Sequence, residues 1–219
     1  MPARDEALLA RTVTYTAVGG TRAGDLLRYP PPGFRPIERR VRIGHGAERW
    51  ERAWVETLSF GIQRRAGFRV RRLATPDAVL ENTYVPVGFD AEGHPTRSAD
   101  TSSGEIVYSS SGDELLRPGE TAVLSLGWGV VSLRIPIRVV YVVEEERRRG
   151  FAYGTLRGHP ERGEEAFLVE WRDDDSVWLV IRAFSRPANL FWWAVYPALR
   201  IMQAIFTSRY EHALTGVLP

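Results

Sequence analysis

Between Gly150 and Phe167 the chain reads GFAYGTLRGHPERGEEAF, and this run places His159, Glu161, Glu164 and Glu165 within seven residues of each other. A histidine among carboxylates is equipment for moving protons near neutral pH. Apolar arms flank a turn rich in glycine, proline and charge, which is the pattern of a β-hairpin with a chemically loaded loop. Glu164 and Glu165 must face opposite sides of their strand. Phe167, Val169 and Trp171 share the side of Glu165, so that side is read as the inward one. A carboxyl there is desolvated, and its pKa rises toward use as a general acid. The alternative is a salt bridge to Arg157 or Arg182. His159, just before Pro160, is the candidate base; it could equally cap the loop by hydrogen bonding.

Other residues fit around that pair. Tyr153 and Tyr141 could present hydroxyls to a carbonyl or hydroxyl of a ligand, or simply pack in the core. Arg182, among Trp178, Val180 and Phe184, reads as an outward stacked arginine or as an anion clamp. Phe167, Trp171 and Trp193 are candidate apolar lining. Asp100 and Asp113, with Glu114 beside them, become further acid or base candidates if their segment closes over a cavity mouth.

Several chemistries drop out. The chain has no cysteine, so disulfides and thiolate chemistry are absent. All 29 basic residues are arginine, which removes lysine Schiff bases. Against 27 acidic residues they leave a net charge of only +2, so no nucleic-acid partner is expected. His45, His94 and His212 lack metal-ligand spacing, and no metal is expected. No glycine loop follows a strand and opens a helix, and no Gly-x-Ser-x-Gly elbow occurs. The expectation is therefore a site without cofactors. The N-terminus lacks an apolar signal core, and a cytoplasmic location is the default. Leu190 to Phe206 is apolar but contains Pro197, Arg200 and Gln203, so no stable membrane span is expected.

The elements that must position these groups follow from periodicity. The 219 residues suit one domain. Residues 1–38 read as an irregular extension with a strand candidate at Thr12–Val18. Arg39–Ile43 reads as a strand. Ala47–Ala66 reads as one amphipathic helix stopped by Gly67. Phe68–Leu73 is a strand. Residues 75–118, rich in Ser, Thr, Asp, Gly and Pro, read as an insertion or lid. Strands follow at Thr121–Trp128, Val130–Glu144, Gly150–Leu156, Glu164–Trp171 and Val177–Phe184. In the second of these, Val131 through Val143 alternate on one buried face, with Ser132, Arg134 and Arg138 on a wet one. Ser185-Arg186-Pro187 opens a final helix to about Leu214, kinked or split at Pro197. The fold class is α+β: a helix-grip-like curved antiparallel sheet wrapped on a long C-terminal helix, with an internal cavity.

The motif GFAYGTLRGHPERGEEAF, with AFSRP at Ala183–Pro187 and the stretches Arg40–Gly46 and Arg64–Gly67, resembles the bacterial and plant family named domain of unknown function 1990. The resemblance covers roughly residues 12–73 and 119–214. It implies that Tyr153, Thr155, His159, Glu164, Glu165, Ser185 and Arg186 are recurring polar positions, and it supplies no activity. Residues 75–118 depart from the family pattern. The element order is similar to that of START and polyketide-cyclase-like helix-grip proteins.

The resulting expectation is a cavity for a hydrophobic small molecule and cofactor-free acid/base cyclisation, dehydration or isomerisation of a polyketide-like substrate. Glu165 or an insertion aspartate is the acid and His159 its partner. Tyr153, Tyr141 and Thr155 position the substrate. A carrier without turnover is the alternative. A protein- or membrane-interaction module built on the aromatic C-terminal helix is the second. A homodimer is among the open oligomeric states.

Overall fold

The computed structural model of the chain describes residues 3–74, 87–89, 95–97, 108, 112, 114–128 and 131–216. Its strands are β1 (Arg35–His45), β2 (Arg69–Arg72), β3 (Val87–Phe89), β4 (Pro95–Arg97), β5 (Thr121–Trp128), β6 (Val131–Glu145), β7 (Arg148–Thr155), β8 (Glu161–Trp171) and β9 (Ser176–Pro187). Its helices are α1 (Ala3–Leu9), α2 (Ala47–Leu58), α3 (Gly61–Arg65), α4 (Leu190–Ala194) and α5 (Tyr196–Ala213). Strands β5 to β9 pair with their chain neighbours. β1 then closes against β9 and β2 against β5, giving one antiparallel sheet in the order β1-β9-β8-β7-β6-β5-β2. β3 and β4 form a separate pair. The fold is α+β and helix-grip-like: a curved sheet holds the C-terminal helix on one face.

That face carries the main core. Phe151, Phe167, Leu179 and Ile181 of the sheet meet Trp50, Leu58 and Ile62 from α2 and α3, and Tyr210 and Leu214 at the end of α5. Burying such side chains contributes roughly 1.5–3 kcal/mol each. The single helix expected over Ala47–Ala66 breaks in two. Phe60 adopts a left-handed conformation, φ 64°, which lets its ring drop edge-on onto Phe151 at 5.2 Å. Burial of that ring outweighs helix continuity. Gly61 follows because a Cβ there would meet the Glu56 carbonyl oxygen at 2.6 Å.

The final helix also starts later than expected. β9 runs on to Pro187, and Asn189 then caps α4 by accepting a hydrogen bond from the Trp192 N–H. Pro197 does split the helix, because it stands in the first turn of α5, where its missing N–H is no loss.

Two expectations about the sheet faces are corrected. A bulge between Val139 and Tyr141 shifts the side-chain parity of β6. Ile137, Val139 and Val142 join the main core, whereas Tyr141 and Val143 point to the opposite face. Nor is most of that opposite face wet, although Arg134 stays exposed. Residues 13–34 lie across it, with Tyr15, Leu26 and Phe34 around Phe184 and Val13 and Val18 against the cluster of Tyr141, Ala166 and Val180. The strand expected at Thr12–Val18 shrinks to one bridge, Val13 to Leu156. Side chains hold the segment instead. Arg138 donates to the carbonyls of Leu9 and Arg11 at 2.8 and 2.7 Å, and Arg71 makes a bidentate pair with Asp5. Most of residues 75–118, including Asp100, Asp113 and His94, lies outside the described residues. No helix among the described residues is long and apolar enough to cross a membrane.

Candidate functional site

Small residues open a space where the main core ends. On the inner face of the sheet, Gly163 of β8 pairs with Ser185 of β9, and Ala183 stands opposite Glu165. None of the three neighbours fills the gap, and α5 bridges it with Leu199, Met202 and Phe206. The result is a cavity of about 140 Å³. That is close to the roughly 150 Å³ of an apolar cavity that holds a benzene-sized guest. Its walls are mostly apolar, with Phe68, Leu124 and Ile135 completing them.

Polar groups converge on one wall. Across three strands the register runs Tyr153, Glu165, Ala183. Tyr153 donates its hydroxyl hydrogen bond to Glu165 Oε2 at 2.5 Å, and the Tyr210 hydroxyl bonds that of Tyr153. Desolvation pushes the Glu165 carboxyl up to about 7, against the hydrogen bond from Tyr153, and the nearby charge of Glu161 adds to the rise. Glu165 is thus half protonated near neutral pH, which suits a general acid. Burial raises the phenols of Tyr153 and Tyr210 well beyond their usual range, so both stay protonated donors.

A second carboxyl faces the same cavity. Glu161 opens β8, four residues before Glu165 and on the same side of the strand. Ser185 Oγ donates to it at 3.1 Å, Gln203 Nε2 donates to Ser185 at 3.2 Å, and Arg200 donates to Gln203 at 3.0 Å. Burial raises its pKa, while the Ser185 hydrogen bond and the Arg200 charge oppose the rise. Burial therefore raises both carboxyls on this wall, with Ser185 and Arg200 opposing the rise at Glu161 and Tyr153 opposing it at Glu165.

His159 lines the cavity beside them. The Glu161 N–H donates to its Nδ1 at 2.9 Å, which fixes the proton of the neutral ring on Nε2. Desolvation lowers its pKa to about 4. At neutral pH it offers a hydrogen-bond donor, not the basic nitrogen expected. Thr155 also lines the cavity and uses its hydroxyl to accept from the Gly163 N–H at 3.0 Å.

Five expected ligand contacts lie elsewhere. Tyr141 is carried to the opposite face by the β6 bulge, where its hydroxyl bonds Thr21 at 2.6 Å and Arg22 stacks on its ring at 4.2 Å. Arg182, also on that face, is buried and pairs with Glu38 at 3.0 Å while donating to the carbonyls of Thr21 and Ala23. It ties down the N-terminal segment. Phe167 fills the core beneath the site, edge-on to Tyr210 at 5.1 Å. Trp171 stacks on Trp50 at the far end of the sheet. Trp193 is exposed on α4, and its neighbour Trp192 turns inward to the cavity instead. Tyr210 and Gln203 are the residues that sequence reasoning passed over, and Glu161, named in the run, had no role assigned to it.

The protonation of Glu165 has a measurable consequence. Its folded pKa lies above the ordinary carboxylate value, so between about pH 4.5 and 7 the folded state holds a proton that the unfolded chain releases. Stability contributed by the neutral acid is complete below that window and declines as pH rises through it. His159 acts in reverse, because its depressed pKa withdraws stability as pH falls from about 6.5 toward 4. Thermal unfolding of wild type and Glu165→Gln across pH 4–8 should give curves that diverge upward in pH, the glutamine variant losing less. Parallel curves would mean that Glu165 is ionised throughout.

The comparisons with known proteins fit this geometry. The family described as Domain of unknown function (DUF1990) matches residues 14–91 and 89–213. A UPF0548 protein of Deinococcus radiodurans is 44% identical over 86 residues, which is 35% of this chain and 43% of that protein. A UPF0548 protein of Arabidopsis thaliana is 35% identical over 86 residues, 36% of this chain and 42% of that protein. The chain thus spans about two-fifths of the length of these curated relatives. Among solved structures, a hypothetical protein from Helicobacter pylori superposes with a TM-score of 0.50 at 9% identity, covering 88% of this chain and 92% of that one. That likeness is one of fold alone.

Proposed function

The chain belongs to the DUF1990 family, a domain of unknown function, and from that premise we propose that it binds a mainly apolar small molecule in the cavity beneath α5. Glu165 then acts on the molecule's oxygen as a general acid. The observation that carries this reading is the carboxyl of Glu165, raised to about 7 in the wall of an otherwise apolar cavity. The chemistry is cofactor-free dehydration, isomerisation or ring closure, for which a polyketide-like hydroxy ketone is a fitting substrate. In a ring closure, Glu165 protonates the leaving hydroxyl, which departs as water. A second hydroxyl of the substrate attacks the cation, and its proton passes to the Glu161 carboxylate. His159 Nε2–H and Thr155 orient the chain of oxygens. The setting proposed is cytoplasmic.

A carrier without turnover is the second reading. It is favoured by the tie from Tyr153 to Glu165, which lets the acid bind an oxygen without needing to release its proton. Native mass spectrometry of protein purified from its host should reveal a bound molecule of fixed mass. With that molecule or its precursor, Glu165→Gln should reduce turnover by about 10²–10⁴-fold while the ligand stays bound. Equal turnover in the variant would leave the carrier reading. Protein that comes off free of ligand, and takes up no apolar compound, would end both.

A further inference from the structure

Among the described residues, none covers the outer side of the C-terminal helices. Leu190 is 86% exposed, Phe191 64%, Ile201 63% and Trp193 53%. Ala194 at the end of α4, and Pro197, Ala198 and Ile205 on α5, continue the same outward strip at helical spacing. Scattered apolar residues on a surface need no explanation, but a continuous strip of large ones marks a contact. Its charge is one-sided. Arg200 and Arg209 flank the strip on α5, and the one acid of these two helices, Glu211, lies past the strip in the last turn, 3.5 Å from Arg39.

We propose that α4 and α5 seat this protein on an anionic lipid surface. Leu190, Phe191, Trp193 and Ile201 enter the headgroup boundary, and arginine supplies attraction to negative headgroups. An aromatic and aliphatic face with flanking cations and no acids is the composition of a helix that lies in the interface plane. A second copy of the chain fits less well. It would set two such faces together with cations on both sides and no acids from the strip to pair them. The same helices roof the cavity, and Trp192 points into it while its two neighbours point out. Docking therefore brings the cavity roof to the level at which an apolar ligand is dissolved. This last step rests on the ligand reading above; the docking itself does not.

The test is flotation of the full chain with vesicles of phosphatidylcholine alone and of phosphatidylcholine with phosphatidylglycerol. Wild type should float with the anionic vesicles, less with the neutral ones, and less again as salt is raised. Phe191→Asp with Ile201→Asp should weaken flotation about tenfold or more. Both sites are exposed, so unchanged thermal unfolding will show that the variant is folded; Phe191→Ser alone is the milder variant if it is not. Absence of wild-type flotation, or flotation that the variants leave unchanged, overturns the proposal. So does a wild-type dimer by light scattering that the same variants dissociate. Ligand content by native mass spectrometry is read separately on the same variants. Retained ligand with lost flotation supports docking and leaves the cavity reading intact; retained flotation overturns docking whatever the ligand content.

Discussion

Replacing Glu164 with alanine should destabilise the protein by about 3–5 kcal/mol, whereas the neighbouring Glu165→Gln should change it little at low pH. The contrast arises from direction alone. Glu164 points to the face covered by residues 13–34 and is only 2% exposed. Its carboxylate accepts from the Tyr15 hydroxyl at 2.7 Å, the Gly19 N–H at 2.7 Å, the Thr21 N–H at 3.0 Å and the Thr21 hydroxyl at 2.5 Å. Desolvation raises its pKa in spite of these donors. Removing the carboxylate strands four donors in a closed site and frees the segment from the sheet. In a chain of this size the loss corresponds to a fall in Tm of roughly 10 °C. Glu164→Gln should cost less, because one oxygen survives to accept. Equilibrium unfolding in urea gives both numbers. A change under about 1 kcal/mol for alanine would show that the N-terminal cover is not anchored here.

Gly163→Ala should be at least as damaging, at about 4 kcal/mol or loss of soluble protein. A Cβ at this position would lie 1.9 Å from the Phe184 carbonyl oxygen and 2.9 Å from Ser185 Cα, with φ at 150°. The obstacle is the backbone of β9, which cannot yield without breaking its ladder with β8. Gly24→Ala is the control. It has nothing within 4 Å of the added Cβ, and a change within about 0.5 kcal/mol is expected.

Much of this arrangement could be read from residue order. Thr121–Trp128 is spelled as a strand and is one, since nothing competes with its alternation. The inward direction of Glu165 follows from sharing parity with Phe167, a residue too apolar to face water. Glu161 has the same parity. Its place on the strand is not legible, because Pro160 and Gly163 look like turn residues and put the strand's start at Glu164. Backbone pairing with Pro187 carries β8 three residues further. Tyr141 was misplaced because a bulge leaves no mark in composition. Tyr210 is 45 residues from Glu165, and only the packing of α5 brings its hydroxyl to Tyr153. The N-terminal cover lacks periodicity altogether. Its order comes from long-range bonds such as Arg182 to the Thr21 carbonyl, which no local pattern encodes.

The most direct test of the central claim is an equilibrium titration of an apolar fluorescent probe into wild type and Ala183→Phe. Ala183 stands beside Glu165 on the cavity floor, so a phenyl ring there occupies much of the roughly 140 Å³ available. Wild type should bind the probe saturably at one site, and the bound ligand found by mass spectrometry should displace it. Ala183→Phe, if folded by its unfolding profile, should bind at least about tenfold more weakly. Equal binding by the two proteins would place the apolar site elsewhere and contradict the account.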